Sequence, residues 1–248
     1  MTTAPQPELA IVLPVYNEGE AVEPVLRGIS AGVTTPHELV VVYDFDEDTT
    51  VPVVTRLAAE IPGLRGLRNE LGRGVLNAMK AGIAGTTAPY VLISMADGSD
   101  EPHVVDPMVV FARDGADVVA ASRYMRGGGQ VGGPLFKRLM SRTAGLTLHW
   151  FAGVPTHDPT NNFKLYSRRF LDSVTIESTA GFELALELTV KATLMGRRVA
   201  EVPTTWRDRT AGQSNFKLRK WLPHYLHWYR VAFMGRLRRL AGRRRAQG

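Results

Sequence analysis

Residues 9–44, "LAIVLPVYNEGEAVEPVLRGISAGVTTPHELVVVYD", decide the fold. Two short β-branched runs, 9–16 and 38–44, flank a helical stretch around 20–31, and that strand–helix–strand order predicts a parallel pair. The alternation continues. A helix over 49–60, with Pro52 in its first turn, leads to a short strand "GLRGLRN" at 63–69. The glycine-punctuated "GRGVLNAMKAGIAG" at 72–85 reads as a loop entering a helix, and a strand at 90–96, a helix near 104–114 and the strand "DVVAASR" at 117–123 follow. This pattern predicts an α/β fold, a mostly parallel sheet covered by helices. Sites in such sheets lie beyond the strands' carboxyl ends, where Asp44, Asp97 and Arg123 all fall.

The second half is less regular. "GGGQVGG" at 127–133 reads as a mobile loop, "FKRLMSRTAGLTLHWFAG" at 136–153 as a helix, "GFELALELTVKATLMG" at 181–196 as a strongly amphipathic helix, and "RRVAEVPTTW" at 197–206 as an added strand. After Pro223, which suits a helix's first turn, Tyr225, Leu226, Tyr229, Phe233, Leu237 and Leu240 recur at helical spacing. Without repeats or a linker rich in Pro, Gly or Ser, the expected organisation is a loose lead-in at 1–8, one α/β domain at 9–216 and a basic amphipathic tail at 217–248.

The 248 residues are 44% apolar and 22% charged, the composition of an ordinary globular chain. Cysteine is absent, which excludes disulfides and thiolate metal sites and permits a reducing cytoplasm. No stretch reaches the roughly 18 apolar residues of a membrane span; "LTLHWFAGVP" is short and broken by His149. Net charge is +6, yet Lys217 to Gly248 holds ten Lys or Arg and no Asp or Glu, leaving a mildly acidic body. That division argues against nucleic acid as the partner and for peripheral contact of the tail, with Trp221 and Trp228, with an anionic membrane surface on the cytoplasmic side; the alternative is a helix over 221–235 packed on the body and followed by a solvated arginine-rich end.

"LISMADGSDEP" at 92–102 is an apolar run that stops at Asp97, with Ser99, Asp100 and Glu101 close behind. Acids at a strand end can hold a hard divalent cation against a substrate diphosphate. They can also cap: Asp97 a turn, Asp100 the helix beginning near His103. The cap suits Asp100; Asp97 shares its crevice with Asp44, which favours a site.

Seven segments in order, "IVLPVYNEGE", "VVYDFDEDTT", "GRGVLNAMKAG", "SMADGSDEP", "ASRYMRGGG", "DPTNNFKLYSR" and "EVPTTWRDRTAGQS", resemble the inverting family-2 glycosyltransferases, most of all the polyprenyl-phosphate sugar synthases of the dolichol-phosphate mannose synthase type. The resemblance runs from residue 11 to about 217. It implies a GT-A, Rossmann-like fold, a GDP- or UDP-hexose donor, a Mg²⁺ or Mn²⁺ ion and a polyprenyl phosphate acceptor. Carried over by position, Pro14, Tyr16, Glu18 and Asp44 line the nucleotide, and Arg73 lies near the donor phosphates. Asp97 is the metal residue, with Ser99 or Asp100 as further ligand candidates. Arg123, Lys137 and Ser141 match acceptor-phosphate residues, and Arg209 and Ser214 match a loop closing over both phosphates. Asp97, Arg123 and Arg209 are thus the catalytic candidates.

The chain departs from the pattern at three places. Met95 stands where the first acid of Asp-x-Asp usually falls, Tyr43 where an acid is common, and Asn215 where a lysine is often found. The implied chemistry is one in-line displacement at the anomeric carbon, and an ionised phosphate acceptor needs no general base. A hydroxyl acceptor would need one, and Asp158 in "HDPTNNF" is then the candidate, against its alternative reading as a turn residue. A degenerate nucleotide-sugar-binding protein that lost turnover with Met95 is the remaining alternative.

Overall fold

The computed structural model describes residues 6–208 and 218–245. β1 (Leu9–Pro14) is buried throughout, and its side chains alternate between two cores: Leu9, Ile11 and Leu13 enter one, Val12 the other. β2 (His37–Tyr43) repeats this, with Leu39 and Val41 on the first face and Val40 and Val42 on the second. Strands buried on both faces require helices on both. α1 (Val22–Gly32), α2 (Thr50–Leu57) and α4 (Val105–Arg113) supply one cover, and α3 (Val75–Ala84) and α7 (Leu184–Leu194) the other. Gly82 lets α3 lie directly on the sheet, because a Cβ there would run into Val12 and Val42.

The remaining strands are β3 (Leu64–Arg68), β4 (Tyr90–Ile93), β5 (Val118–Ser122), β6 (Gly129–Val131), β7 (Lys164–Ser167), β8 (Val199–Pro203) and β9 (Thr205–Arg207). The main sheet has the order β3-β2-β1-β4-β7-β5-β8, parallel except for β7, which runs antiparallel to β4 and β5. From β1 the chain winds outward through β2 and β3, then returns to β4 on the other side. The reversal opens a crevice at the carboxyl ends of β1 and β4.

Several expectations are corrected. Part of the "GGGQVGG" segment is β6, paired with β9 in a second small sheet, and the added strand divides into β8 and β9. α5 (Leu135–Thr147) ends short of the predicted helix and passes into a wider turn, Leu148–Ala152. β7, unforeseen, runs into the single-turn α6 (Arg168–Leu171). α7 is buried on nearly all sides rather than amphipathic. Glu183, just before the helix, and Glu187 within it are fully buried too, each accepting two backbone N–H groups from the preceding turns, and so are satisfied inside.

α8 (Leu218–Arg245) also departs from its expected stripe. Trp228 and Ala232 are buried, and Tyr225, Tyr229 and Phe233 pack beside them against Leu148, Ala152, Val154, Leu186 and Val190. Trp228 is therefore a core residue and not a membrane-facing ring. Among the described side chains of α8, Leu226, Met234, Leu237 and Leu240 are the large apolar ones left exposed.

Asp106, in the first turn of α4, fixes the loop between α1 and β2. Its carboxylate accepts from the backbone N–H and hydroxyl of both Thr34 and Thr35, at 2.7–2.9 Å. Against the opposing effect of burial, those four bonds hold its pKa down from 3.8 to about 2. Asp106→Ala is expected to lower unfolding free energy by about 2 kcal/mol near neutral pH. A folded pKa below the unfolded one gives stability that is full above the unfolded value and is lost as pH falls through about 2. Urea unfolding of both proteins should show the gap narrowing on acidification; a constant gap would contradict the assignment.

Candidate active site

At the end of β1, Pro14 closes the strand, and Val15 donates to the Val42 carbonyl at 2.9 Å. The chain then turns through Asn17 in a left-handed conformation, φ 53°. Asn17 N–H donates to Asp48, Thr49 N–H to the Asn17 side chain, and Glu18 N–H to the Thr50 hydroxyl, so the start of α2 braces this turn. Tyr16 stands 57% exposed with its ring edge-on to Phe45, and the Arg73 guanidinium lies 4.8 Å from the Phe45 ring centre. Tyr16, Phe45 and Arg73 thus form a linked row.

Asp44 gathers the loop that carries Arg73. One carboxylate oxygen accepts from Asn69 Nδ2 at 2.7 Å and the other from Gly74 N–H at 2.8 Å, where Gly74 has φ 128°. Phe45, Asn69 and Asp48 were missed in the sequence, since each acts through contacts with residues distant along the chain.

Beyond β4, Asp97 accepts from Ser99 N–H at 3.1 Å, the expected turn. Asp100 does not cap the following helix. Its Oδ2 instead accepts from the Ser94 hydroxyl and Met95 N–H, both at 3.1 Å, reaching back to the strand end. Desolvation, reinforced by the charge of Asp97, pushes Asp100 up to about 7. Met95 is partly exposed and, with Glu18, Asp97, Asp100 and Arg207, lines a cavity of about 560 Å³ that deepens towards Ile11, Leu92 and Phe163. Among the described residues no three His, Cys, Asp or Glu converge as a metal cage. The oxygen donors at this strand end suit a hard ion only if a phosphate-bearing ligand shares its coordination.

At the end of β5, Arg123 is held by three bonds to Asp158: Nε–Oδ2 at 2.7 Å, an Nη–Oδ1 bond at 3.0 Å and backbone N–Oδ2 at 3.1 Å. Its guanidinium also donates to Ser141 of α5 at 3.2 Å, and Ser141 bonds Thr160 at 2.9 Å. Burial opposes ionisation of Asp158, but Arg123 and Lys164 hold its carboxyl below the usual range. Asp158 therefore positions the arginine. Lys164, fully buried at the start of β7, donates to the carbonyls of Asp158 and Asn161, and burial lowers its pKa to about 7. The backbone of Lys137 lies in α5, while its side chain, Arg209, Ser214 and Asn215 lie outside the described residues.

A mostly parallel sheet with one antiparallel strand, acids at the ends of β2 and β4 and a clamped arginine at the end of β5 is an architecture of the GT-A type. The fold agrees with that of glucosyl-3-phosphoglycerate synthase from Mycobacterium tuberculosis, solved in complex with Mn²⁺, UDP and glucosyl-3-phosphoglycerate: TM-score 0.62 and 20% identity, over 93% of this chain and 80% of that one. The chain belongs to Glycosyl transferase family 2, which matches residues 10–175. It is 31% identical to undecaprenyl-phosphate mannosyltransferase of Micrococcus luteus over 82% of this chain and 85% of that protein. With polyprenol monophosphomannose synthase of Mycolicibacterium smegmatis the identity is 29%, over 86% and 82%. With dolichol-phosphate mannosyltransferase of Pyrococcus furiosus it is 24% over 90% of this chain but only 63% of that relative, so the chain spans less than two thirds of its length.

Proposed function

We propose that this glycosyltransferase moves a hexose from a GDP- or UDP-sugar to the phosphate of a polyprenyl carrier. The observation that carries the reading is the Arg123–Asp158–Ser141 arrangement: a fixed guanidinium suited to an anionic acceptor, with the adjacent carboxylate engaged by that guanidinium. The names of the curated relatives support the same acceptor class.

In this reading Pro14, Tyr16, Glu18 and Asp44 border the nucleoside, and Arg73 approaches its phosphates. Arg123, Lys137, Ser141, Arg209 and Ser214 receive the acceptor phosphate. An acceptor phosphate oxygen bonds to the anomeric carbon as the bond to the departing nucleoside diphosphate breaks, which inverts that centre. The nucleophile is already ionised, so no residue need remove a proton. Mg²⁺ or Mn²⁺ would be held by Asp97, with Ser99 or Asp100 and the donor diphosphate completing the coordination; when bound it neutralises charge on the leaving group. Among the described residues no helix is long and apolar enough to cross a membrane. Peripheral attachment at the cytoplasmic face is the corresponding location.

A donor screen tests the whole reading. Nucleoside diphosphate release from GDP- and UDP-hexoses, measured with and without prenyl phosphate and metal, is expected only when both are present. Release that needs a hydroxyl acceptor instead, or no release with any donor, would reject it.

A further inference from the structure

We infer that Lys164 is a positioning residue for acceptor binding: its buried ammonium fixes the turn that presents the Asp158 carboxylate to Arg123, an inference that rests on the polyprenyl phosphate reading above. Lysine is among the residues least often fully buried, yet Lys164 is. An apolar side chain of similar length would fill the same space without the cost of desolvating a charge. What the amine adds is two bonds, one to the Asp158 carbonyl at 3.0 Å and one to the Asn161 carbonyl. Pro159 and Thr160 turn the chain between those carbonyls, so a single nitrogen ties the two ends of the turn together.

That turn carries the partners of the arginine. The Asp158 carboxylate accepts three bonds from Arg123, and the Thr160 hydroxyl bonds Ser141 at 2.9 Å and Asp158 at 3.3 Å. Glu201 braces the segment from its other end, accepting from the Thr156 hydroxyl, His157 N–H and His157 Nδ1 at 2.6–2.8 Å. β7 and β8, which carry Lys164 and Glu201, lie on either side of β5, from whose end Arg123 departs. The segment is therefore held from both flanks of the strand whose arginine it clamps.

The amine also sets the charge behind the guanidinium. Asp158 in the turn, Arg123 at the end of β5 and Glu201 on β8 are the charged groups that act on it. Burial pulls its pKa down from 10.5 to about 7, with Asp158 opposing and Arg123 assisting. Below that pH two cations share the Asp158 carboxylate, and the surplus charge favours an incoming phosphate. Above it the amine is neutral, Arg123 and Asp158 balance each other, and the attraction weakens.

Initial rates with a short prenyl phosphate in solution, on wild type, Lys164→Met and Lys164→Arg, test the role. The phosphate's own titration is common to the three proteins and cancels in their ratios. Lys164→Met should raise the apparent KM for prenyl phosphate about tenfold at about pH 6, with the donor KM nearly unchanged, and its ratio to wild type should shrink towards about pH 8.5. Lys164→Arg, charged at every working pH, should restore the low KM and keep it below that of wild type at the alkaline end. Both variants replace a fully buried side chain, so the claim is also read in wild type alone. The NMR resonance of Arg123 Nε–H, assigned by its loss in Arg123→Lys, should shift with a midpoint near pH 7. A folded Lys164→Met protein with the wild-type KM at every pH, or an Arg123 resonance that stays constant from about pH 6 to about pH 8.5, would overturn the inference. Absence of transfer by wild type to any prenyl phosphate would reject the acceptor reading instead, and the resonance alone would then judge whether Lys164 governs the arginine.

Discussion

Asp97→Asn is expected to lower sugar transfer by roughly 10²-fold or more, with the melting temperature nearly unchanged. The substitution removes a negative charge but preserves the turn, because an asparagine side-chain oxygen can still accept from Ser99 N–H, as Asp97 does at 3.1 Å. Asp100 cannot readily compensate: its Oδ2 is committed to Ser94 and Met95, and desolvation holds its pKa at about 7. The loss should appear in turnover rather than in donor affinity, since the charge acts on the departing diphosphate. Release of nucleoside diphosphate at saturating donor, with and without added Mn²⁺, measures it. Near-normal turnover would remove Asp97 from the reaction.

The second large effect concerns Arg123. Its side chain is 12% exposed, and that of Asp158 is fully buried. Removing one partner of a buried pair leaves an uncompensated charge, so Arg123→Ala is expected to cost about 3–5 kcal/mol of stability. Loss of activity in that variant would be ambiguous between folding and chemistry. Arg123→Lys separates them: it keeps the charge but cannot make the paired bonds to Asp158 while also reaching Ser141. The lysine protein should fold with a smaller loss and show an apparent KM for prenyl phosphate raised on the order of tenfold, with donor binding little changed. Urea unfolding and initial rates check the two halves. An unchanged KM in a folded Arg123→Lys protein would place acceptor recognition elsewhere.

How far the sequence discloses this arrangement depends on the range over which each residue acts. β1 and β2 are legible because strands buried on both faces appear as continuous apolar runs, and Asp97 and Arg123 are legible because the apolar runs of β4 and β5 stop shortly before them. β7 is not: it spans four residues, and its first is a lysine whose charge is hidden only because folding brings the Asp158 and Asn161 carbonyls to it. Asp158 offers no local sign that it clamps an arginine 35 residues away. The α7 pattern misleads for a related reason. Glu183 and Glu187 mimic a solvent face but turn inward to cap the preceding backbone. In α8 the apolar spacing is visible, yet its division between the body and the solvent is decided by neighbours such as Leu148 and Val190.

The inserted antiparallel strand has a metric consequence. Ile93 of β4 and Ala120 of β5 both pair with Lys164 of β7, so the three residues form one row across the sheet. Adjacent strands stand about 4.8 Å apart, which sets the ends of β4 and β5 about 10 Å from each other. Asp97 follows Ile93 by four residues and Arg123 follows Ala120 by three, so the acid and the cation leave the sheet on either side of a backbone spacer. Were β4 and β5 direct neighbours, the distance between those strand ends would halve. β7 thus acts as a gauge block: hydrogen-bonded backbone sets the distance between the two strand ends from which the acid-bearing turn and the arginine depart.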